Sequence, residues 1–170
     1  MRTVWLLRHA KSSWDDPTLP DADRPLAPRG RRAAAAIAAH IASADVRPEL
    51  VLCSSGLRAR ETLAAVLPSL GAPVEVRIEP DLYTFDDEVV RERLRRTPAG
   101  VRAMMVVGHN PALQQLALAL ARSGPARARL LEKFPTGALA TIRLPDGAWT
   151  SVGDGAGEIA ALVVPRDLTA

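Results

Sequence analysis

The 170 residues suit one domain, taken as a unit over 1–170, long enough to bury a real core. An apolar fraction of 48% and a charged fraction of 24% exclude a disordered chain, and no apolar run nears the ~18 residues of a membrane span. The Val4–Leu7 run is too short for a signal peptide, and the lone Cys53 cannot form an internal disulfide, so a cytoplasmic location without a membrane partner is expected. The net charge is a mild +3, and Lys11 and Lys133 are the only lysines among 22 basic side chains. Aromatics make up 4%, too few for a base-stacking platform, so no nucleic-acid partner is expected. The densest cationic run, Arg91–Arg96, carries Glu92 and follows Glu88. It reads as a solvated helix face with pairs such as Glu92–Arg96.

In chain order, Val4–Leu7 predicts a buried first strand. Residues 15–28 hold four prolines and no periodicity, which predicts a long loop of the kind that often carries function. A helix follows from Arg29, with Ala34, Ile37, Ala38 and Ile41 on one face. Leu50–Cys53 is a second buried strand. Leu63, Val66 and Leu67 mark a helix that Pro68 ends. Val74–Ile78 is a third strand, and Asp86–Arg96 a helix with Val89, Val90 and Leu94 inward. Ala103–Val107 is another buried strand. Asn110 is placed to cap a helix with Pro111 at its first position and Leu113, Leu116, Ala117 and Leu120 as its apolar stripe. Ala138–Leu144, Trp149–Val152 and Ile159–Val164 read as strands, with a turn at Pro145–Asp146–Gly147.

Strands alternating with helices imply an α/β fold: a mostly parallel sheet with helices on both faces, a three-layer sandwich. Such sheets carry their sites at the carboxyl ends of the strands. Arg8 and His9 follow the first strand. Ser54, Ser55 and then Arg58 follow the second. Gly108, His109 and Asn110 follow the Val106–Val107 strand. Two of the three histidines and two arginines thus fall at one edge of one sheet. Arginine offers a rigid fork of donors for phosphate oxygens. An imidazole among arginines has its cation disfavoured and stays a free base, as a nucleophile must. One histidine could then attack phosphorus while the remaining groups stabilise the charge on the equatorial oxygens, with no metal or cofactor required. The other features read blandly. His40 belongs to a helix boundary and Cys53 to the core. Gly153, Gly155 and Gly157 precede a strand, so they fail the context of a dinucleotide loop. A metal site from His9, His109, Asp15 and Asp16 lacks a ligand pattern and sits among arginines.

At these residues a family resemblance appears. LLRHAKSSW resembles the RHG signature of the histidine phosphatase superfamily, the phosphoglycerate-mutase-like group. SSGLRARET resembles its second motif and VVGHNP its third. RPLAPRG and FPTGALATI are similar to the short SixA-like phosphohistidine phosphatase branch. The resemblance spans nearly the whole chain. It implies a phosphoglycerate-mutase-like fold without a large lid insertion, and a phosphatase that forms a covalent phosphohistidine. On that resemblance His9 is the nucleophile and Arg8, Arg58 and His109 form the phosphate pocket, with Ser12 beside them as a substrate-binding residue. The implied partner is a phosphorylated substrate, foremost a phosphohistidine-bearing protein domain. The alternatives are a small phosphomonoester hydrolysed by the same mechanism, or a phosphate-binding module without turnover.

The sequence departs from the pattern in places. Ala10 replaces the signature glycine. Asp15 stands where many members have asparagine. The region that supplies the general acid of larger members reads IEPDLYTFDD, offering Glu79, Asp81, Asp86 and Asp87. A phosphoramidate leaves through a nitrogen that is easily protonated, which lessens the need for such an acid. Little chain lies between Arg58 and His109, which points to an open, shallow site.

Overall fold

The structure, a computed structural model, describes residues 1–71 and 73–168. The first half holds β1 (Arg2–Arg8), α1 (Pro28–Ser43), β2 (Leu50–Ser54), α2 (Leu57–Val66), β3 (Glu75–Glu79) and α3 (Asp87–Arg95). The second half holds β4 (Ala103–Gly108), α4 (Ala112–Leu120), β5 (Ala121–Ser123), α5 (Arg127–Glu132), β6 (Leu139–Leu144), β7 (Gly157–Val163) and α6 (Pro165–Leu168). The strands form one sheet in the order β3-β2-β4-β1-β6-β7-β5. Only β6 runs antiparallel to its neighbours.

The central strands are apolar on both sides because both sides are covered. Val4 and Leu6 of β1, Leu50 and Leu52 of β2, and Met104 and Val106 of β4 enter one core layer, under α3, α4 and α5. Trp5 and Leu7, Val51 and Cys53, and Met105 and Val107 enter the other, under α1 and α2. The helices follow the expected faces. Ala34, Ile37 and Ile41 of α1 are buried, as are Leu113, Leu116, Ala117 and Leu120 of α4. Fully burying a leucine stabilises by about 1.5–3 kcal/mol. The three buried leucines of α4 therefore outweigh any single capping bond, worth ~1 kcal/mol.

Several local expectations are corrected. Trp149–Ser151 is a 3-10 turn rather than a strand, because Trp149 turns its ring into the core and donates Nε1–H to the Val101 carbonyl at 2.7 Å. β5 and α5 were not foreseen; both are too short to carry a period. Pro111 occupies the N-cap of α4 rather than its first turn, and Asn110 Oδ1 accepts from Gln114 N at 3.2 Å. Asp86 caps α3 by accepting from Glu88 N at 2.9 Å. The Arg91–Arg96 run is not a purely solvated face. Arg91 and Arg93 are buried, paired with Asp154 and with Glu79, and Glu92 pairs with Arg95 instead of Arg96. Asp154 and Glu79 lie on other segments, so helical spacing could not reveal them, whereas Arg91 also pairs with Glu88 one turn back at 3.1 Å. Val89 lies at the surface, leaving Val90 and Leu94 as the inward side of α3.

Candidate active site

β1 and β4 are parallel neighbours in a register that sets Arg8 opposite Gly108. The next residues, His9 and His109, therefore leave the sheet side by side, and His9 N–H donates to the Gly108 carbonyl at 3.0 Å. Their ring centroids are 5.2 Å apart. Gly137, ahead of β6, donates to the carbonyls of Arg8 and His9 from a positive-φ conformation (76°) that suits glycine. β2 delivers Ser54, and the first turn of α2 carries Arg58 back over the same edge. All four sequence-derived site residues Arg8, His9, Arg58 and His109 thus meet.

His9 Nδ1–H donates to the Ala10 carbonyl at 2.7 Å, which leaves the Nε2 lone pair facing the pocket. Arg58 Nε–H points at that nitrogen from 3.4 Å. Burial, and then the charges of Arg58 and Arg8, depress the His9 pKa to about 3. The ring is a neutral base at physiological pH. Burial, followed by Arg58, lowers His109 to about 4. Ser54 Oγ lies 2.7 Å from His109 Nε2 and accepts from Gly56 N–H at 3.1 Å. Among the described residues the Ser54 hydroxyl has no other acceptor, so the tautomer that satisfies both groups has Oγ–H donating to Nε2 and the His109 ring proton on Nδ1. Both His109 Nδ1 and Arg8 Nε are buried polar atoms with no hydrogen-bond partner among the described residues. Arg8 is held by donating to the Phe134 carbonyl at 2.9 Å. Buried donors without partners cost free energy unless a ligand satisfies them.

The roof comes from residues that sequence reasoning missed. Within the loop over 15–28, a 3-10 turn at Asp21–Asp23 lays Asp21 across Arg58. Arg58 donates to the Asp21 backbone carbonyl at 2.8 Å and to its Oδ2 at 3.0 Å. Tyr83 O–H also donates to Oδ2, and Arg24 donates to Oδ1 at 3.0 Å. The Tyr83 hydroxyl first, then Arg24 and Arg58, hold the Asp21 carboxyl at a pKa of about 2. The only sequence signal was the Asp21/Arg24 spacing of three, which is too common to stand out. Tyr83 and Phe85 face His109 edge-on, with centroids at 5.2 and 6.0 Å. His9 is 8% exposed, so its ring is largely covered by its surroundings.

The remaining candidates lie elsewhere or play supporting parts. Ser12 is buried and accepts from Arg24 at 2.6 Å. Asp15 is exposed on the loop. Glu79 is taken by Arg93, Asp86 caps α3, Asp81 is exposed and Asp87, in the first turn of α3, is half-buried. Among the described residues no set of three His, Cys, Asp or Glu is arranged to hold a metal ion. Cys53 is fully buried, and burial pushes its thiol up to about 12. No helix of the described residues is long and apolar enough to cross a membrane.

Comparison with known proteins agrees with this geometry. The sequence model of the histidine phosphatase superfamily (branch 1) matches residues 4–86, the stretch that carries β1, the roof loop and Arg58. The chain belongs to the histidine phosphatase superfamily. It is 38% identical to an uncharacterized protein of Mycobacterium tuberculosis over 164 residues, spanning 94% of this chain and all of that one. The fold superposes on SixA from Nakamurella multipartitia with a TM-score of 0.82 at 29% identity, covering 96% of each chain. It superposes on the protein histidine phosphatase SixA complexed with tungstate with a TM-score of 0.79 at 27% identity, covering 98% and 99%. The expected SixA-like, phosphoglycerate-mutase-like architecture is therefore the observed one.

Proposed function

We propose that this histidine phosphatase superfamily member hydrolyses protein phosphohistidine, without a metal, through a covalent phosphoryl intermediate on His9. The observation that carries the reading is the set of nitrogens gathered at this sheet edge. His9 Nε2 offers a lone pair with Arg58 Nε beside it, and Arg8 Nε and His109 Nδ1 are buried donors that have no hydrogen-bond partner among the described residues. That is one nucleophile inside a cradle for three phosphoryl oxygens. His9 Nε2 attacks phosphorus in line, the new N–P bond forms as the substrate's P–N bond breaks, and the substrate imidazole, already protonated on its other nitrogen, leaves with the electron pair as a neutral ring. Water then attacks the phosphohistidine, releasing phosphate and returning His9 to its free base. Arg8, Arg58 and His109 stabilise the oxygens in both steps. A similar SixA protein was solved with tungstate, itself an oxyanion, which fits such a cradle.

A macromolecular substrate is favoured by the rim. Phe85 stands beside His109 and is 56% exposed. Trp14, 69% exposed, lies against the Arg24 guanidinium, whose carbon is 3.2 Å from the ring centroid. Exposed aromatics flanking an anion pocket suit contact with another protein surface. The test is turnover of a labelled phosphohistidine protein in chelator, quenched in alkaline detergent so that the acid-labile P–N bond survives. Label should be retained on the wild-type chain and on His40→Ala, and lost on His9→Ala. Label persisting on His9→Ala, or turnover that needs an added metal, would overturn the reading.

A further inference from the structure

Beside Arg8 lies a cavity of about 690 Å³ whose other lining residues the chemistry above does not use. Six cations line it: Arg8, Lys11, Arg29, Arg32, Lys133 and Arg166. Among the described residues no carboxylate lines it. They come from four separate places: the end of β1, the first turns of α1, the segment after α5, and α6. Both lysines of the chain are among them. Pro135 and Val164 add an apolar floor. Among the described residues, Lys11, Arg29, Arg32, Lys133 and Arg166 form no ion pair, although many other arginines do. The nearby carboxylate of Asp167 is taken by Arg129 at 2.7 Å.

Like charges gathered at one concavity repel one another, and folding alone gives no reason to gather them. Their character also separates two kinds of anion. A site for a small second phosphate would hold it with buried, fixed donors, as Arg58 is held. These five side chains are exposed and unpinned. Such a rim steers and orients a charged surface instead. We propose that this cavity docks acidic side chains flanking the phosphohistidine of the protein substrate, so that the enzyme selects phosphohistidine in an acidic setting. The inference rests on the protein-phosphohistidine reading and adds what that protein presents beside its phosphoryl group.

The test uses two synthetic peptides, each phosphorylated on a single histidine, one flanked by four glutamates and one by four glutamines. At low salt the wild-type KM should be at least ~10-fold lower for the acidic peptide, and the preference should collapse toward unity in ~0.5 M NaCl. Arg32→Glu/Lys133→Glu should abolish the preference through KM, leaving kcat and turnover of p-nitrophenyl phosphate unchanged. The neutral Arg32→Gln/Lys133→Gln pair should fall between. Arg96→Glu, exposed at the end of α3 and not among the residues lining the cavity, should behave as wild type. Equal KM values for both peptides on the wild type, or a preference that survives charge reversal, would overturn the docking surface alone. Turnover of p-nitrophenyl phosphate with neither peptide hydrolysed would overturn both it and the protein-phosphohistidine reading.

Discussion

Arg58 holds Asp21 by two bonds at once, one to the backbone carbonyl and one to the carboxylate, while its Nε faces the His9 lone pair. The guanidinium proposed to clamp phosphate is therefore already engaged by an anion of the protein's own. An incoming phosphoryl group competes with Asp21 for it.

Asp21→Asn should make that competition easier. Asp21 is about half exposed, so the ion pair it contributes is screened and worth ~0.2–1 kcal/mol. Inorganic phosphate should inhibit Asp21→Asn with a Ki about 1.5–5-fold lower than wild type. A Ki that is unchanged or higher would mean that Asp21 assists anion binding rather than opposing it.

Arg58 itself tests the geometry of the clamp. Arg58→Ala should lower kcat/KM by ~10²–10³-fold, the usual cost of losing a positioned donor to transition-state charge. Arg58→Lys should recover only part, since lysine keeps the charge without the fork. Arg60, two positions on, is exposed and donates to the Ser55 carbonyl, so Arg60→Ala should be nearly silent. Equal small effects at both positions would remove Arg58 from the pocket.

Ser54 acts through His109. Ser54→Ala leaves His109 Nε2 buried without its 2.7 Å partner. An unsatisfied buried group costs about 1–3 kcal/mol, so thermal stability should fall measurably. The ring is also freed to put its proton on Nε2, which takes the donor away from the pocket. kcat should fall with little change in KM, and unaltered kcat would show that Ser54 only fills space.

The buried imidazoles make stability depend on pH with a definite sign. His9 and His109 hold pKa values of about 3 and 4 when folded, against 6.5 when unfolded. Between pH 6.5 and 4 the unfolded chain binds more protons, so stability falls as pH falls through that window. Each group contributes a slope of up to about 1.4 kcal/mol per pH unit. Denaturant midpoints measured from pH 7 to 5, above most carboxylate titrations, should drop, and His109→Asn should show a shallower drop. A flat wild-type profile would mean that these rings are protonated in the folded protein.

The sheet and the four converging side chains were legible because they rest on local apolar runs and on one rule of α/β architecture. Val4–Leu7, Leu50–Cys53 and Ala103–Val107 are continuous apolar strands, and whatever follows them shares an edge. The roof was not legible for a related reason. Asp21 and Tyr83 reach the pocket from a loop and a turn without periodicity, through contacts 37 and 62 residues apart in the chain. The buried Arg91 and Arg93 were hidden in the same way, since Asp154 and Glu79 lie on other segments. Trp149 sat in a stretch read as a strand because a lone aromatic anchor leaves no alternation to betray it.

The register between β1 and β4 carries a consequence for how such an enzyme diversifies. His9 and His109 inherit their separation from the spacing of adjacent strands, about 4.8 Å in any sheet, and the ladder on both flanks of β1 keeps it there. Insertions or drift in the connecting loops leave that separation alone. Innovation in substrate is thus channelled into the Asp21 loop, the Tyr83–Phe85 turn and the segment around Lys133, while the imidazole pair stays a constant of the architecture. Chains sharing this register can explore new phosphorylated partners by changing surface loops, without risking the spacing on which the chemistry rests.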